Sequence, residues 1–482
     1  MPNSPDQANR AGTEHNAFLS GSIASTYTRT ALPIIFVMTM NGLLTVADAL
    51  FLGHYVGPQA LAAVTLMFPV YMLIVALSTL VSSGMSSLLA RHLGGNHLTE
   101  ARAVYAGAHG LALIVGAALI VLFLLLGRQL SYLAAEGSAN LAEMGLTYLR
   151  ITTLFSPLLF VLAVNSDTLR NEGKVGFMAA MSLLVSLANI GFNFLLIAVL
   201  DMGVAGSAYG TAMAQGLAFT IIMIFRFRGE TQLRPSALLE HKLTNAWGRI
   251  LLLGAPQSLN YIGLALGSAA IMTALQMVDS TTYNSTVTAY GIITRVMTFA
   301  YLPLLGLSFA MQTITGNNYG AGLWQRTNNT LQFAILAALA YCTAIQCGMM
   351  FFAQQIGSAF VDDPIVIAEV ARILPIIVVM FFITGPLMMI ATYFQAIGDA
   401  GRAMLLGVSK SYLFAIPLTF SLSSTIGETG IWCAGPVADG LLLVLTLLLL
   451  MQTARRHSLR WGMFQTGKSE HVDPSKTAKE AR

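Results

Sequence analysis

The sequence of 482 residues is poor in charge, because only 10% of its residues are Asp, Glu, Lys or Arg. Soluble globular domains carry about 25% charged residues, so this deficit excludes an ordinary soluble protein. Hydrophobic residues make up 56% of the chain, and its mean hydropathy is +0.71. Apolar runs of about 20 residues recur along the chain, and each is long enough to cross a membrane as a helix. The composition therefore predicts an all-α integral membrane protein.

Cysteine is also scarce. The three cysteines, Cys342, Cys347 and Cys433, lie in apolar segments without metal-ligand spacing, so we expect no disulfide framework. The sequence lacks a paired-histidine zinc motif, a glycine-rich phosphate loop ending in Lys-Ser/Thr, and a G-x-S-x-G elbow. These absences argue against an enzyme with a resident cofactor and favour transport.

Twelve apolar segments lie between breaks marked by charge, glycine or proline, and each is predicted to be a transmembrane helix. The predicted segments are 30–56, 63–90, 103–127, 142–168, 176–200, 203–226, 249–277, 286–313, 327–352, 365–396, 404–424 and 429–453.

The basic residues predict the orientation. Most of the 25 Lys and Arg residues lie in the N-terminal segment, the even-numbered loops and the C-terminal tail. The positive-inside rule then places both termini in the cytoplasm of a prokaryotic cell, with the chain in its inner membrane. The net charge of +4 is thus a topology signal with no nucleic-acid partner, although the tail could touch anionic lipid. The odd-numbered loops hold one basic residue, Arg128, beside the acids Glu136, Asp201, Asp279, Asp362 and Asp363.

The longest internal polar stretch follows the sixth segment and divides the chain into two halves of six segments each. An offset of about 222–227 residues relates these halves, as expected for an internal repeat. Pro33 then matches Pro256, "YLRI" matches "ARIL", "RNEGKVGFM" matches "QAIGDAGRAM", and "GVAGSA" matches "GIWCAG". Six intervening spans give both halves the same orientation, so we expect two lobes related by a pseudo-twofold axis along the membrane normal, with a cleft between them.

This organisation predicts five regions of the chain. They are a cytoplasmic N-terminal segment at 1–29, an N-lobe at 30–226, a cytoplasmic linker at 227–248, a C-lobe at 249–453, and a disordered cytoplasmic tail at 454–482.

Asp48, in "NGLLTVADALFLGHYVG", is the only Asp, Glu, Lys or Arg between Thr30 and Ala90. It lies about 12 Å below the outer end of the first segment at the rise of a helix. A lone ionised carboxylate at such a depth costs at least about 2.5–3.5 kcal/mol. We therefore expect Asp48 to be paired, protonated or bound to a cation.

Other polar residues lie at a similar predicted depth. Asn189 and Asn193 are four residues apart in the fifth segment, and Thr211 lies in the sixth with Tyr209 nearby. Asn41 precedes Asp48 by two helical turns and shares its face. Oxygen ligands of this kind suit Na⁺, and a carboxylate in a poorly solvated cavity suits a proton. The alternative is that the amides form structural hydrogen bonds between helices.

The second half has two further charges at membrane depth, Arg295 in the eighth segment and Asp439 in the twelfth. Their similar depth permits a salt bridge, or Arg295 could face Asp48 across the cleft, and the pair could be structural or functional. Lys410 lies near the inner interface, where we expect it to extend its ammonium group to water.

Several short motifs resemble those of the multidrug and toxic compound extrusion (MATE) transporters. They are "ADALFLGHYVGPQALAAV" after Pro33, "SSLLARHLGGNHLTEA", "NIGFNFLL", "GVAGSAYGTAMAQ" and "AIGDAGRAM", in an order and at spacings similar to those of the family from about Thr30 to Met451. The resemblance implies a twelve-helix, two-lobed antiporter that exports organic, often cationic compounds against the entry of H⁺ or Na⁺.

In the prokaryotic branch that this chain resembles, an N-lobe site combines an aspartate, an Asn and Asp pair, and a threonine. The resemblance assigns Asp48, Asn189 and Thr211 to these places, whereas Asn193 stands where the family has its second acid. One carboxylate can hold one proton or one monovalent cation. Another branch places acids in the seventh and tenth segments, where this chain has Asn260 and only Glu369, so Asp439 would have to substitute for them.

The resulting hypothesis is alternating access by a monomer that exports a small organic compound, with H⁺ favoured over Na⁺. Neutralisation of Asp48 would change the bend of the first segment near Pro33. A lipid-linked saccharide flippase of the same wider superfamily is an alternative, supported only by Arg295 as a cavity cation. A membrane enzyme or receptor scaffold is a third reading. A major-facilitator transporter also has twelve spans, but the loop "RHLGGNHLTEAR" lacks the paired Asp and basic pattern of that family.

Overall fold

The computed structural model describes residues 16–135, 138–229, 231–278, 283–457 and 459–464, and nearly all of them are helical. Within this part of the chain ten helices are long and apolar enough to cross a membrane, and two bent helix pairs bring the spans to twelve. The predicted fold class is confirmed. We label the spans α1 (Ile23–Phe51), α2 (Phe68–Gly94), α3 (Leu98–Ala134), α4 (Ala139–Leu154 and Ser156–Asn171), α5 (Val175–Asn193), α6 (Gly203–Phe227), α7 (Trp247–Met277), α8 (Tyr283–Gly320), α9 (Trp324–Phe351), α10 (Pro364–Val378 and Phe381–Ile397), α11 (Ala400–Val408, continued by Ser409–Ala415 and Ile416–Ile426) and α12 (Glu428–His457).

The spans differ in how regular they are. The two parts of α4 meet at an angle of 48° and those of α10 at 42°. The second part of α4 has a proline in its first turn, where the missing N–H breaks no hydrogen bond. In contrast, α1 is one uninterrupted helix although Pro33 lies inside it. It begins at Ile23, before the predicted boundary, because the Ser22 side chain accepts a hydrogen bond from the Ser25 N–H and caps the helix.

Glycines allow the two halves of the chain to pack closely along α2. Gly84 of α2 lies against the backbone carbonyl of Ile250 in α7, and Gly254 of α7 lies against that of Leu80 in α2. A Cβ atom at either glycine would overlap these carbonyl groups. Small residues are the common means of bringing two membrane helices into backbone contact.

A second pair of glycine contacts joins α2 to α8 and reveals the symmetry of the fold. Gly94 lies against the backbone of Asn317, and Gly320 lies against the backbone of Arg91. Gly320 follows Gly94 by 226 positions, and Asn317 follows Arg91 by the same 226 positions. Corresponding residues therefore exchange places across the contact, which is the relation that a twofold axis between α2 and α8 produces. This agrees with the predicted pseudo-twofold relation.

We call the side of the bundle where α2, α6 and α8 end the linker face, and the opposite side the far face. Near the linker face, polar groups connect the two halves. Arg170 donates to Thr313 Oγ1 at 3.1 Å, and Gln395 Nε2 donates to Ser83 Oγ at 2.9 Å. Together with the glycine contacts, these bonds hold the halves together on this side of the bundle.

The predicted polar segments at the linker face are partly packed against the bundle. Glu172 forms a buried ion pair with Arg226 at 3.1 Å and accepts a hydrogen bond from the Leu233 N–H at 2.8 Å, so the segment between α6 and α7 is anchored. Trp247 Nε1 donates to the Gly107 carbonyl at 2.9 Å. The expectations for residues 1–15, Glu136, Asp279 and the tail beyond residue 464 lie outside the described residues.

The halves separate toward the far face. A Cβ atom at Gly42 in α1 would meet the side chains of Leu302 and Phe299 in α8. Val46 lies one turn beyond Gly42 on the same face of α1 and is 43% exposed. Arg295 lies one turn from Phe299 on the same face of α8, toward the far face, and is also exposed. The helices that touch at Gly42 thus leave exposed side chains beyond it, which places a cleft between α1 and α8 that widens toward the far face.

Candidate functional site

Asp48 lies against α5 and α6 within the first half. It is six residues beyond Gly42, which turns it away from the α8-facing side of α1. Asn193 Nδ2 donates to Asp48 Oδ1 at 2.6 Å and to Asn189 Oδ1 at 3.0 Å. Asn189 Nδ2 in turn donates to Thr211 Oγ1 at 2.9 Å. The structure therefore brings together the four residues that the sequence analysis selected, and we call them the Asp48 cluster.

The Asp48 cluster is well enclosed on the side of the two amides. Asn189 and Asn193 are fully buried, at 0% exposure. Gly210 leaves room for Asn193, because a Cβ atom at that position would meet Asn193 Oδ1. This oxygen is buried and accepts no hydrogen bond from the described residues. A buried acceptor without a donor costs free energy, so Asn193 is placed to accept a proton donor or a cation.

The hydrogen bonds of the Asp48 cluster have a second possible arrangement. If the Asn189 amide turns over, its nitrogen lies 2.8 Å from Asp48 Oδ1 and its oxygen lies 2.9 Å from Thr211 Oγ1. Either amide can then donate to the carboxylate. Because only the oxygen and nitrogen of one amide exchange, the cluster can change donors without a change in helix packing.

Two polar residues that were predicted near Asp48 lie outside the cluster. Asn41 accepts a hydrogen bond from Ser182 Oγ at 3.4 Å, on the same α5 face but closer to the linker face. Tyr209 packs its ring edge-on against Phe155, with ring centroids 6.3 Å apart. Both belong to the surroundings of the cluster, and neither has a hydrogen bond to Asp48 in the described structure.

In the second half, the salt bridge between Arg295 and Asp439, one of the two arrangements that their depth permitted, is not formed. Asp439 pairs with Lys410 of α11, whose Nζ lies 2.6 Å from Asp439 Oδ1, and Thr384 Oγ1 donates to Asp439 Oδ2 at 3.4 Å. Lys410 therefore lies inside the bundle and does not extend to the inner interface. Its helix is locally wound as a π-helix over Ser409–Ala415, which changes the direction of the side chain relative to a regular helix.

The remaining predicted residues of the second half are separate from one another. Arg295 is exposed and has no ion pair within the described ranges. Asn260 lines a cavity with Lys410 and Asp439. Glu369 lies at the far face, where its carboxylate contacts Arg372 at 2.5 Å. These positions give no cluster of acids between the seventh and tenth spans.

A further charged pair was not predicted from the sequence. Asp167 and Arg170 of α4 form an ion pair at 3.0 Å, and the Arg170 side chain is only 3% exposed. Arg170 also donates to Ser86 Oγ at 3.0 Å and to Thr313 Oγ1, and it stacks over the ring of Phe309. In the sequence Arg170 follows the fourth predicted segment (142–168), among the basic residues of the even-numbered loops that indicate topology. The signal available in the sequence was an acid within the fourth predicted segment, followed three residues later by a base.

The Asp48 cluster combines one carboxylate with amide and hydroxyl groups, which are chemically able to bind a proton or a monovalent cation. No group of three or more His, Cys, Asp or Glu side chains that could hold a metal ion occurs among the described residues. The ligands suggested for Na⁺, Asp48, Asn189, Asn193 and Thr211, all contribute oxygen atoms, as alkali ions require. However, the Asn193 group nearest to Asp48 is an N–H donor, which suits a carboxylate alternating between its ionised and protonated forms.

Comparison with known proteins supplies the context for this arrangement. The model of the MatE family matches residues 33–195 and again residues 258–421, so each half of the chain carries one copy. A curated FAD transporter of Shewanella oneidensis is 25% identical over 434 residues, covering 88% of this chain and 94% of that protein. The multidrug export protein MepA of Staphylococcus haemolyticus is 22% identical, covering 91% of this chain and 96% of its own.

Solved structures share the fold. A MATE crystal structure in complex with MaD3S superimposes with a TM-score of 0.81 at 23% identity, covering 90% of this chain and 97% of that one. A transporter of the MOP superfamily from Pyrococcus furiosus superimposes with a TM-score of 0.80 at 22% identity, with the same coverage. At these identities the likeness establishes the architecture of the helices.

Proposed function

Because the chain belongs to the MatE family, whose members are multidrug efflux transporters and not enzymes, we propose that it exports organic, amphipathic compounds in exchange for H⁺. The observation that carries this proposal is the hydrogen bond from Asn193 to Asp48 inside the first half. It links a half-buried acid on α1 to α5, so a change in the charge of Asp48 would change the contact between these two helices.

The proposed cycle uses the protonation of Asp48. When the cleft is open to the far face, Asp48 takes up a proton from that side and becomes neutral. A neutral carboxyl accepts a hydrogen bond from Asn193 more weakly than a carboxylate does. The contact between α1 and α5 then weakens, α1 changes shape in its first half near Pro33, and the bound compound leaves. Reopening on the linker face returns the proton to the cell interior.

Na⁺ is the second candidate for the coupling ion. It would bind to Asp48, to the unpartnered Asn193 Oδ1, and to the oxygens of Asn189 and Thr211. This would require the Asn193 nitrogen to move away from Asp48, at a cost of one charge-assisted hydrogen bond, about 1.5–3 kcal/mol. Protonation leaves the amides in place, and we therefore favour H⁺.

We further propose that the protein works as a monomer in the inner membrane of a bacterial cell. The linker face, with both termini, would be cytoplasmic, because the basic residues concentrate there. Export would then run from the linker face to the far face, driven by protons that move the opposite way down their gradient.

The direct test is efflux of ethidium from proteoliposomes in which a pH gradient and a sodium gradient are imposed separately. We expect the pH gradient to drive export and Asp48→Asn to abolish it, while the variant remains folded. Asp201→Asn is the matched control, because it makes the same change at an exposed carboxylate on the far face. Normal gradient-driven efflux by Asp48→Asn would exclude this mechanism.

A further inference from the structure

The second half contains a small polar cavity whose lining includes a hydrogen-bond donor without an acceptor among the described residues. It has a volume of about 70 Å³ and is bordered by α7, α8, α10, α11 and α12. Its polar lining includes Gln257, Asn260, Tyr301, Lys410 and Asp439. A volume of this size holds several groups the size of a water molecule, so it can accept a phosphate or carboxylate group but not a whole aromatic compound.

The donors at the cavity are the side chains of Gln257 and Lys410. Gln257 Nε2 is buried and donates no hydrogen bond to any described residue. The Lys410 side chain is 33% exposed, whereas that of its partner Asp439 is 10% exposed and also accepts from Thr384. Asp439 is thus the enclosed member of the pair, and its Oδ1 contacts Lys410 but accepts no hydrogen bond from the described residues. Lys410 is the accessible member, so a ligand oxygen can reach its ammonium group and the Gln257 amide.

Arg295 adds a positive charge outside the cavity. It shares one face of α8 with Phe299 and Leu302, the residues that contact Gly42 of α1, and so it is directed toward the cleft. It lies six residues from Tyr301, or about 9 Å along the helix, on the far-face side of the cavity. Arg295 has no ion pair among the described residues, and an unpaired guanidinium at membrane depth is costly unless it meets water or a ligand.

The acids near the cleft do not cancel this positive charge. Asp48 keeps its charge but is directed into the first half toward Asn193, while Asp167 is paired with Arg170 and Asp439 with Lys410. On the second-half side of the cleft, Arg295 is therefore the one charged group in the middle of the spans that the described residues leave without a counter-ion. Arg residues are well suited to phosphate and carboxylate groups because their N–H groups form a planar fork.

We propose that the exported compounds include ones with an anionic group, a phosphate or carboxylate, which Arg295 attracts into the cleft and which the cavity binds through Gln257 and Lys410. This inference rests on the proposed export function and adds anionic compounds to the expected cationic cargo. The apolar part of the compound would remain in the cleft beside the exposed ring of Phe299. The compound would leave when the halves rearrange, since Arg295 and the cavity belong to the half that does not contain Asp48.

The test compares two probes that differ by one phosphate, riboflavin 5′-phosphate and riboflavin, with the full-length protein in lipid nanodiscs. Quenching of flavin fluorescence measures binding. We expect the phosphate form to bind about tenfold more tightly, a difference of about 1.4 kcal/mol. Gln257→Glu, which keeps the shape and adds a negative charge, and Arg295→Gln should each remove this difference without changing the affinity for riboflavin. Arg295→Lys should retain part of the preference.

The controls separate this proposal from the proposed export mechanism. Arg150→Gln makes the same change at an exposed arginine of α4 and should leave the preference intact. Asp48→Asn should lose gradient-driven export and still bind the phosphate form. Equal affinity for the two flavins, or binding of neither flavin by a protein that exports ethidium, would overturn the anionic subsite and leave proton coupling untouched.

Discussion

Asn193 donates to the carboxylate of Asp48 at 2.6 Å, and it stands where the resemblance to the transporter family implies a second acid. An amide in this place supplies a proton donor and keeps the charge of the cluster at one carboxylate. We therefore expect the cluster to accept one proton or one monovalent cation, and we expect a second acid at residue 193 to raise that number.

The first prediction is that Asn193→Asp creates a Na⁺ site. Two carboxylates at hydrogen-bonding distance repel each other when both are ionised, and a bound cation relieves that repulsion. We expect Na⁺ to raise the Tm of Asn193→Asp at neutral pH by several degrees, since a ligand at 100 times its Kd stabilises by about 2.7 kcal/mol. Choline chloride at equal ionic strength is the control. A wild-type protein stabilised equally by Na⁺ would contradict H⁺ as the coupling ion.

The positions of the twelve spans could be predicted from the sequence alone. Hydropathy located all twelve spans, because a membrane helix needs a long apolar run whatever its neighbours are. The depth of Asp48, Asn189, Asn193 and Thr211 could be counted along each helix, and helices joined by short loops are neighbours. These two facts predict that Asn189 and Asn193 meet Thr211, because α5 and α6 are consecutive, whereas the place of Asp48 beside them is what the family resemblance implied.

The side-chain ion pairs within the second half could not be predicted from depth and loop length. Depth alone allowed Asp439 to pair with Arg295, but the partner depends on the rotation of each helix about its axis. The π-helix at Ser409–Ala415 changes this rotation for Lys410, and no residue pattern in the sequence predicts a π-helix there. The burial of Arg170 was missed for a related reason, because a basic residue at the end of a span looks the same whether it meets water or a neighbouring helix.

The second prediction concerns the backbone contact between α2 and α7. In Gly84→Ala the new methyl group would overlap the Ile250 carbonyl, so the halves could not close at the linker face as they do here. Overpacking of this kind costs about 1–3 kcal/mol. We expect a cysteine introduced at the buried Ser87, in a background without the three native cysteines, to react faster with a maleimide in this variant.

The matched control for that experiment is Gly176→Ala. Gly176 also lies in a membrane helix near the linker face, but open space surrounds the position of its Cβ atom. Labelling of Ser87→Cys should therefore be unchanged by it. Equal labelling rates for Gly84→Ala and Gly176→Ala would show that the glycine contact does not hold the linker face closed.

The third prediction concerns the Lys410–Asp439 pair. Lys410→Met leaves the carboxylate of Asp439 enclosed without its counter-ion, and such a loss costs about 3–5 kcal/mol when both partners are fully buried. Because Lys410 is one-third exposed, we expect a value toward the lower end. The double variant Lys410→Met/Asp439→Leu should recover most of the thermal stability in detergent. Equal instability of the single and double variants would show that Asp439 gains its stability from other contacts.

The fourth prediction concerns the segment between α6 and α7. Arg226 is completely buried, and Glu172 is its ion-pair partner as well as the acceptor for the Leu233 N–H. Glu172→Gln keeps the shape but leaves a buried guanidinium without its counter-ion, which should destabilise the packing of this segment by about 3–5 kcal/mol. Limited trypsin digestion should then cut after Lys242 sooner than in the wild type. Glu240→Gln, which changes an exposed carboxylate on the same segment, should leave the rate unchanged. If both variants are cut at the wild-type rate, the Glu172–Arg226 pair does not anchor the segment, and its packing depends on Leu233 and Trp247 instead.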